Sequence, residues 1–229
     1  KIIQSKLRSA GYYFSKIDPF IEILDDNMVT IDYQIDLGEK SKIGKISFIG
    51  DKVYKDNKLR SILVSEEYKF WKFISGKKFL REELIELDKR LLKNFYLNKG
   101  YYNIEINASF AKLINKNEFE LIFNINANKK IYFGDMKVVL PNDFDEENYK
   151  DLKKLLSDLK DEPYSLYSVD KILDQIDLIT TNEEFKSSKA YAQQNIISDK
   201  LTIDFVVEKS ETFLIEKINI FGNNVTREN

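Results

Sequence analysis

Any chemistry in this chain has to be done without imidazole or thiol. His and Cys are both absent from its 229 residues, which removes His-based triads, imidazole general bases, thiolate nucleophiles and nearly every zinc or non-haem iron site. Carboxylates and hydroxyls remain. Paired acids stand at Asp25-Asp26, Glu66-Glu67, Glu82-Glu83 and Glu183-Glu184, an arrangement that serves acid–base hydrolysis or holds a hard cation. The same pairs are also ordinary at helix starts and in loops, where the helix dipole favours negative charge. Composition leaves a Ser-Lys nucleophile open, but Ser41-Lys42 and Ser188-Lys189 fall at ordinary linker or helix-end positions. The eight glycines are dispersed and form no phosphate-cradling loop. The expectation is a chain with no catalytic constellation, no cofactor and no metal site. Lys+Arg 36 against Asp+Glu 38 leaves a net charge of −2, so nucleic acid is not an expected partner.

Binding candidates are better supported than catalytic ones. Tyr68, Phe70, Trp71 and Phe73 form an aromatic cluster around the only Trp, suited either to packing beneath a connection or to anchoring a partner. The segment Tyr101, Tyr102, Asn103, Ile104, Glu105, Ile106, Asn107 and Ser109 alternates apolar and polar residues, as does Tyr191, Gln193, Asn195 and Ile197 with its neighbours. Both read as strands that could lie at a sheet edge and accept an extended peptide.

An internal repeat supplies the elements that must position these segments. Three period-two runs, 29–36, 119–125 and 201–207, are each followed by a second apolar segment centred on Phe48, Val138 and Ile220, with common offsets of 90 and 82 residues. A Gly-Tyr-Tyr mark precedes the first two sets at Gly11 and Gly100, and Ser188-Lys189-Ala190-Tyr191 stands as a weaker third. Within one period the signals run strand, short helix, long helix, strand, strand. The strand at 45–49 is broken by Gly50-Asp51, the short helix covers 57–63 with Asp56 as N-cap, and the long helix covers 81–98 with Leu84, Leu87, Leu91 and Phe95 as its apolar stripe. Gly100 ends it. In the next period Asp145 caps a helix bearing Tyr149, Leu152, Leu155, Leu156 and Leu159; Ser168 caps another bearing Val169, Ile172, Ile176 and Ile179. If the last strand is central, the second lies at the edge, and Pro19 in the second strand of the first copy agrees with that place.

The unit order, with Ile46-Ser47-Phe48-Ile49-Gly50, then Asn57-Lys58-Leu59-Arg60, then Phe95-Tyr96-Leu97-Asn98-Lys99-Gly100-Tyr101-Tyr102, resembles the POTRA (polypeptide-transport-associated) family. The resemblance covers essentially the whole chain. It implies an α+β fold of tandem POTRA units, each βααββ with a three-stranded mixed sheet covered on one face by two helices. By that register residues 1–41 are the C-terminal part of a second unit, 42–129 a third, 130–210 a fourth and 211–229 the start of a fifth. Pro141-Asn142 and Ala190 depart from the pattern, standing where the neighbouring copies have Gly.

The resemblance further implies a non-enzymatic periplasmic scaffold of the outer-membrane β-barrel assembly machinery, at the periplasmic face of a Gram-negative outer membrane. Its partners would be unfolded outer-membrane proteins, accessory lipoproteins and periplasmic chaperones, met by strand addition at sheet edges. Contact with the membrane itself would come only through a C-terminal barrel outside these residues. The edge at Tyr101 to Ser109 is the first expected site and Tyr191 to Ile197 the second. Two alternatives stand beside this reading: the POTRA region of another outer-membrane transporter, such as a translocation assembly factor or a two-partner secretion pore, and a carboxylate-dependent hydrolase or cation-binding protein.

Overall fold

In the computed structural model, residues 2–24, 28–69, 76–182 and 188–210 are described, with side chains except those of 108–112. The aromatic residues Phe70, Trp71 and Phe73, the acid pairs at 25–26 and 183–184, and the expected further unit at 211–229 lie outside the described residues. The chain divides into two compact units, Lys1–Tyr132 with Pro163–Leu166, and Phe133–Glu162 with Tyr167–Asn229.

The first unit opens with helix α1 (Ile2–Ser9), then an antiparallel hairpin of β1 (Lys16–Ile23) and β2 (Val29–Asp36). Pro19 pairs with Tyr33 in this two-stranded sheet, where among the described residues each strand is paired on one side only and so tolerates a missing N–H. The expected five-element unit follows as β3 (Lys42–Asp51), α2 (Asp56–Arg60), α3 (Glu82–Leu97), β4 (Glu105–Asn115) and β5 (Glu118–Asn126). Its sheet has the order β3-β5-β4, parallel between β3 and β5 and antiparallel between β5 and β4. The last strand is therefore central and the second lies at an edge.

Alternation decides which face is covered. Leu121, Phe123 and Ile125 of β5 are buried, as are Ile43, Ile46 and Phe48 of β3. Ile43 and Ile46 are three residues apart, yet both reach the core because the β3/β5 register shifts between Ile43 and Lys45. Phe48 stacks on Phe123 with ring centroids 5.7 Å apart. Each such side chain withdrawn from water stabilises the fold by about 1.5–3 kcal/mol before entropy is counted.

Gly50 does not break β3. It lies inside the strand at φ +84°, where a Cβ would come within 2.6 Å of Asn124 Oδ1. The short helix begins at Asp56 itself, without a side-chain cap, because the Asp56 carboxylate takes the Lys52 ammonium instead.

The buried stripe of α3 also differs from the expected one. Ile85, Asp88, Leu92 and Tyr96 face the sheet, while Leu84, Leu87, Leu91 and Phe95 lie half-buried on the flank. The helix is turned by one residue so that Asp88 sits at the centre of its packed face. The chain leaves α3 through Gly100 at φ +94°, with Tyr101 N–H donating to Tyr96 O (3.1 Å) and Gly100 N–H to Leu97 O (3.3 Å). Gly11, at φ +95°, ends α1 with the same pair of bonds, to Leu7 and Arg8.

The second unit repeats the plan with β6 (Tyr132–Val139), α4 (Lys150–Leu159), α5 (Leu166–Asn182), β7 (Ser188–Ile197) and β8 (Lys200–Lys209) in a sheet ordered β6-β8-β7. Leu201, Ile203, Phe205 and Val207 of β8 are buried, as are Leu152, Leu156, Val169, Ile172 and Ile176 of the helices. Asp145 caps as expected, accepting from Glu147 N–H at 3.0 Å, though on a 3-10 turn that leads into α4. Ser168 is not a cap, because α5 begins two residues earlier at Leu166. Thr180 rather than Ile179 completes the buried stripe of α5. The weak third mark is not a helix end either: Ser188, Lys189, Ala190 and Tyr191 all lie within β7.

Candidate functional site

The two edges of the first sheet are unlike. Along the start of β3, outward backbone groups of Ile43 and Ile46, and of Ser41 just before them, already have partners. Tyr68 N–H donates to Ile43 O (2.6 Å), Leu80 N–H donates to Ser41 O (2.9 Å), Ile46 N–H donates to Glu67 Oε1 (3.0 Å), and Arg60 Nη2 donates to Ile46 O (2.9 Å). Glu67 thus works as a surrogate strand, held in turn by Arg60 at 3.4 Å. Tyr68, expected in a contact patch, belongs to this cover; its ring receives Lys42 Nζ at 4.5 Å from the centroid.

The orientation of Ile46 settles that of the opposite edge. Both backbone groups of Ile46 point away from β5, so those of Ser47, the partner of Ile122, point toward it. In a parallel pair Ser47 then bonds to the residues flanking its partner, Leu121 and Phe123, which leaves Ile122, Asn124 and Asn126 facing β4. Their antiparallel partners Ser109, Asn107 and Glu105 are bonded inward. Ile106, and Ala108 after it, therefore turn N–H and C=O outward, and among the described residues no further strand pairs with β4.

This geometry corrects the first expected site. Only Glu105, Ile106, Asn107 and Ser109 of that set belong to the edge strand. Tyr101, Tyr102, Asn103 and Ile104 form the turn before it, since the left-handed residue Gly100 needs several residues to redirect the chain. Ile104 N–H is used by Tyr101 O (3.2 Å), Asn103 O accepts from Asn128 Nδ2 (2.7 Å), and Ile104 is buried. Tyr101 packs edge-on against Tyr96 and Tyr54, with centroids 5.7 and 6.2 Å away. Tyr96, buried and donating its hydroxyl proton to Lys52 O, has its pKa pushed up by burial first and by Tyr54, Tyr101 and Asp51 after it.

Tyr191, Gln193, Asn195 and Ile197 do lie on the edge strand β7, paired with Val206, Asp204, Thr202 and Lys200. Their partners alternate with the buried residues of β8, so all four side chains project from the uncovered face. Tyr191 donates to Glu208 Oε1 at 2.7 Å, and that bond is the main cause of its raised pKa.

The polar group that sequence patterning missed is Asp88. It is wholly buried, and its Oδ1 accepts from Val64 N–H (2.6 Å) and Ser65 N–H (3.3 Å), tying the connection after α2 to α3. Burial raises its pKa, against the pull of the hydrogen bonds from residues 64 and 65. A single acid inside an otherwise apolar helix face was the available signal. Among the described residues no group of three or more acids could hold a metal ion, and no helix is long and apolar enough to cross a membrane.

A sheet whose central strand is the last of the unit, with two helices on one face, is the arrangement that comparison with known proteins then places. Residues 41–128 match the POTRA family model, described as a surface antigen variable number repeat. Residues 41–128 are a POTRA domain. The likeness extends along the chain. The outer membrane protein assembly factor BamA of Neisseria meningitidis serogroup B is 27% identical over 215 residues, covering 93% of this chain and 27% of that protein. BamA of Buchnera aphidicola is 25% identical over 224 residues, covering 92% and 35%. The chain thus spans about a quarter to a third of the length of these curated relatives. The crystal structure of Haemophilus influenzae BamA POTRA3-5 shares the fold with a TM-score of 0.55 at 11% identity, covering 90% of this chain and 77% of that one. A POTRA domain at residues 41–128 thus sits in a chain that is similar along most of its length to the BamA assembly factors.

Proposed function

We propose that this chain is the receptor region of an outer-membrane β-barrel assembly machine. It lies at the periplasmic face of the outer membrane, takes up unfolded barrel precursors by strand addition and passes them toward a membrane barrel. Accessory lipoproteins and periplasmic chaperones are its further partners, and residues 42–129 and 130–210 act as two whole POTRA units between partial ones. The observation that carries the reading is the asymmetry of the first sheet. The β3 edge is covered by Glu67, Arg60 and Tyr68, whereas β4 offers the Ile106 N–H and C=O outward. Backbone pairing needs no particular side-chain sequence, which suits a receptor for many unrelated strands.

A photo-crosslinking residue at Asn107, compared with one at Lys45 beside the covered edge, tests this in the presence of an unfolded barrel precursor. Adducts should form from position 107 and be lost when Ile106→Pro removes the outward N–H. Equal adducts from both positions, or a folded Ile106→Pro chain that still crosslinks, would refute strand addition at β4.

A further inference from the structure

Beside the open edge, α3 and the start of β4 enclose a groove of about 380 Å³. Its floor is Ile104 and Ile106, and its helix wall carries Lys89, Arg90 and Lys93. Lys89 is partly neutralised by Glu86, at 2.9 Å. Arg90 and Lys93 are exposed, and among the described residues no carboxylate pairs with either. Glu105 also borders the groove but alternates with buried Ile104, so its side chain leaves toward the uncovered face of the sheet. A strand laid against β4 would present alternate side chains to this basic wall.

We infer that the strand which adds to β4 is an acidic one, with carboxylates at alternate positions on the side facing α3; this rests on the strand-addition reading. Spacing agrees with charge. Side chains on one face of a strand recur about every 6.7 Å, while Arg90 and Lys93 are about 4.5 Å apart along the helix axis and Lys89 and Lys93 about 6 Å. Long, flexible cationic side chains bridge the remaining difference. A lysine-bearing strand would place like charges together on the same wall.

Three synthetic ten-residue peptides, identical except for Glu, Gln or Lys at two alternate positions, would be titrated against the chain by fluorescence anisotropy. At low salt the Glu peptide should bind about fivefold more tightly than the Gln peptide, from two exposed ion pairs. That advantage should vanish near 1 M salt, where screening acts within about 3 Å. Joint Arg90→Glu and Lys93→Glu should invert the order of the Glu and Lys peptides. Equal affinities, or an order indifferent to those two substitutions, overturns the inference, and if Ile106→Pro still abolishes all binding, strand addition survives alone. Binding of every peptide that persists in a folded Ile106→Pro chain, or no binding at all, overturns strand addition and the inference with it. Should Ile106→Pro fail to fold by circular dichroism, hydrogen exchange at the Ile106 amide of the unaltered chain replaces it. Protection on adding the Glu peptide supports the proposal, and its absence sinks both readings.

Discussion

Replacing Asp88 with alanine probes the least conventional feature of the first POTRA unit, a carboxylate at the centre of the packed face of α3. The side chain is 0% exposed and accepts from Val64 N–H at 2.6 Å and from Ser65 N–H at 3.3 Å. Truncation leaves a buried donor at Ser65 and a half-buried one at Val64, with no replacement acceptor in an apolar interior. A hydrogen bond to a charged group contributes roughly 1.5–3 kcal/mol, and the longer bond to Ser65 adds less. Relief of a buried charge offsets part of the loss, so Asp88→Ala should destabilise the unit by about 2–3 kcal/mol. In a unit of this size that corresponds to a melting temperature lower by roughly 10 °C or more. Asp88→Asn keeps an acceptor for Val64 and should cost less than about 1 kcal/mol. Urea denaturation followed by circular dichroism and by the fluorescence of the single Trp, whose position in the chain falls in this unit, measures both variants. An Asp88→Ala chain within about 0.5 kcal/mol of the parent, the range of ordinary surface changes, would show that the carboxylate does not hold residues 64 and 65 in place.

The same residue makes a pH prediction. Burial raises the folded-state pKa of Asp88 above the unfolded value, so the native state binds this proton more tightly than the unfolded chain does. Its contribution is most favourable at and below the unfolded carboxylate pKa and declines as pH rises through the folded one. Relative to Asp88→Asn, the parent should therefore gain stability as the pH falls toward the ordinary carboxylate range, and urea melts in which it loses ground instead would contradict the assignment. Gly100→Ala and Gly11→Ala share a left-handed backbone, at φ +94° and +95°, which costs about 1–2 kcal/mol for an L side chain. At Gly100 a Cβ would also press on Lys130 Cγ at 2.9 Å and Ile131 O at 3.2 Å, whereas at Gly11 the nearest atom is Leu80 O at 3.5 Å. Gly100→Ala should accordingly melt lower than Gly11→Ala; equal melting temperatures would mean that packing adds nothing to the turn.

Local regularities in the chain were enough to determine the order of elements. Period-two alternation marked β2, β5 and β8, the offset of the repeat joined them to β3 and β6, and Gly100 marked where α3 ends. These signals are local because backbone geometry and one-sided burial act on neighbouring residues. Only the tertiary structure decided which edge is open. Ile46 could be read as outward only once Arg60 and Glu67, distant in sequence, were seen beside it, and that reading carries across β5 to Ile106. The rotation of α3 is of the same kind. Patterning put Leu84, Leu87, Leu91 and Phe95 inward because it treats a carboxylate as a surface residue. The fold instead buries Asp88, because the N–H groups of Val64 and Ser65 supply there what water would supply elsewhere. Polar groups satisfied from afar, and edges covered from afar, leave no periodic trace in the sequence.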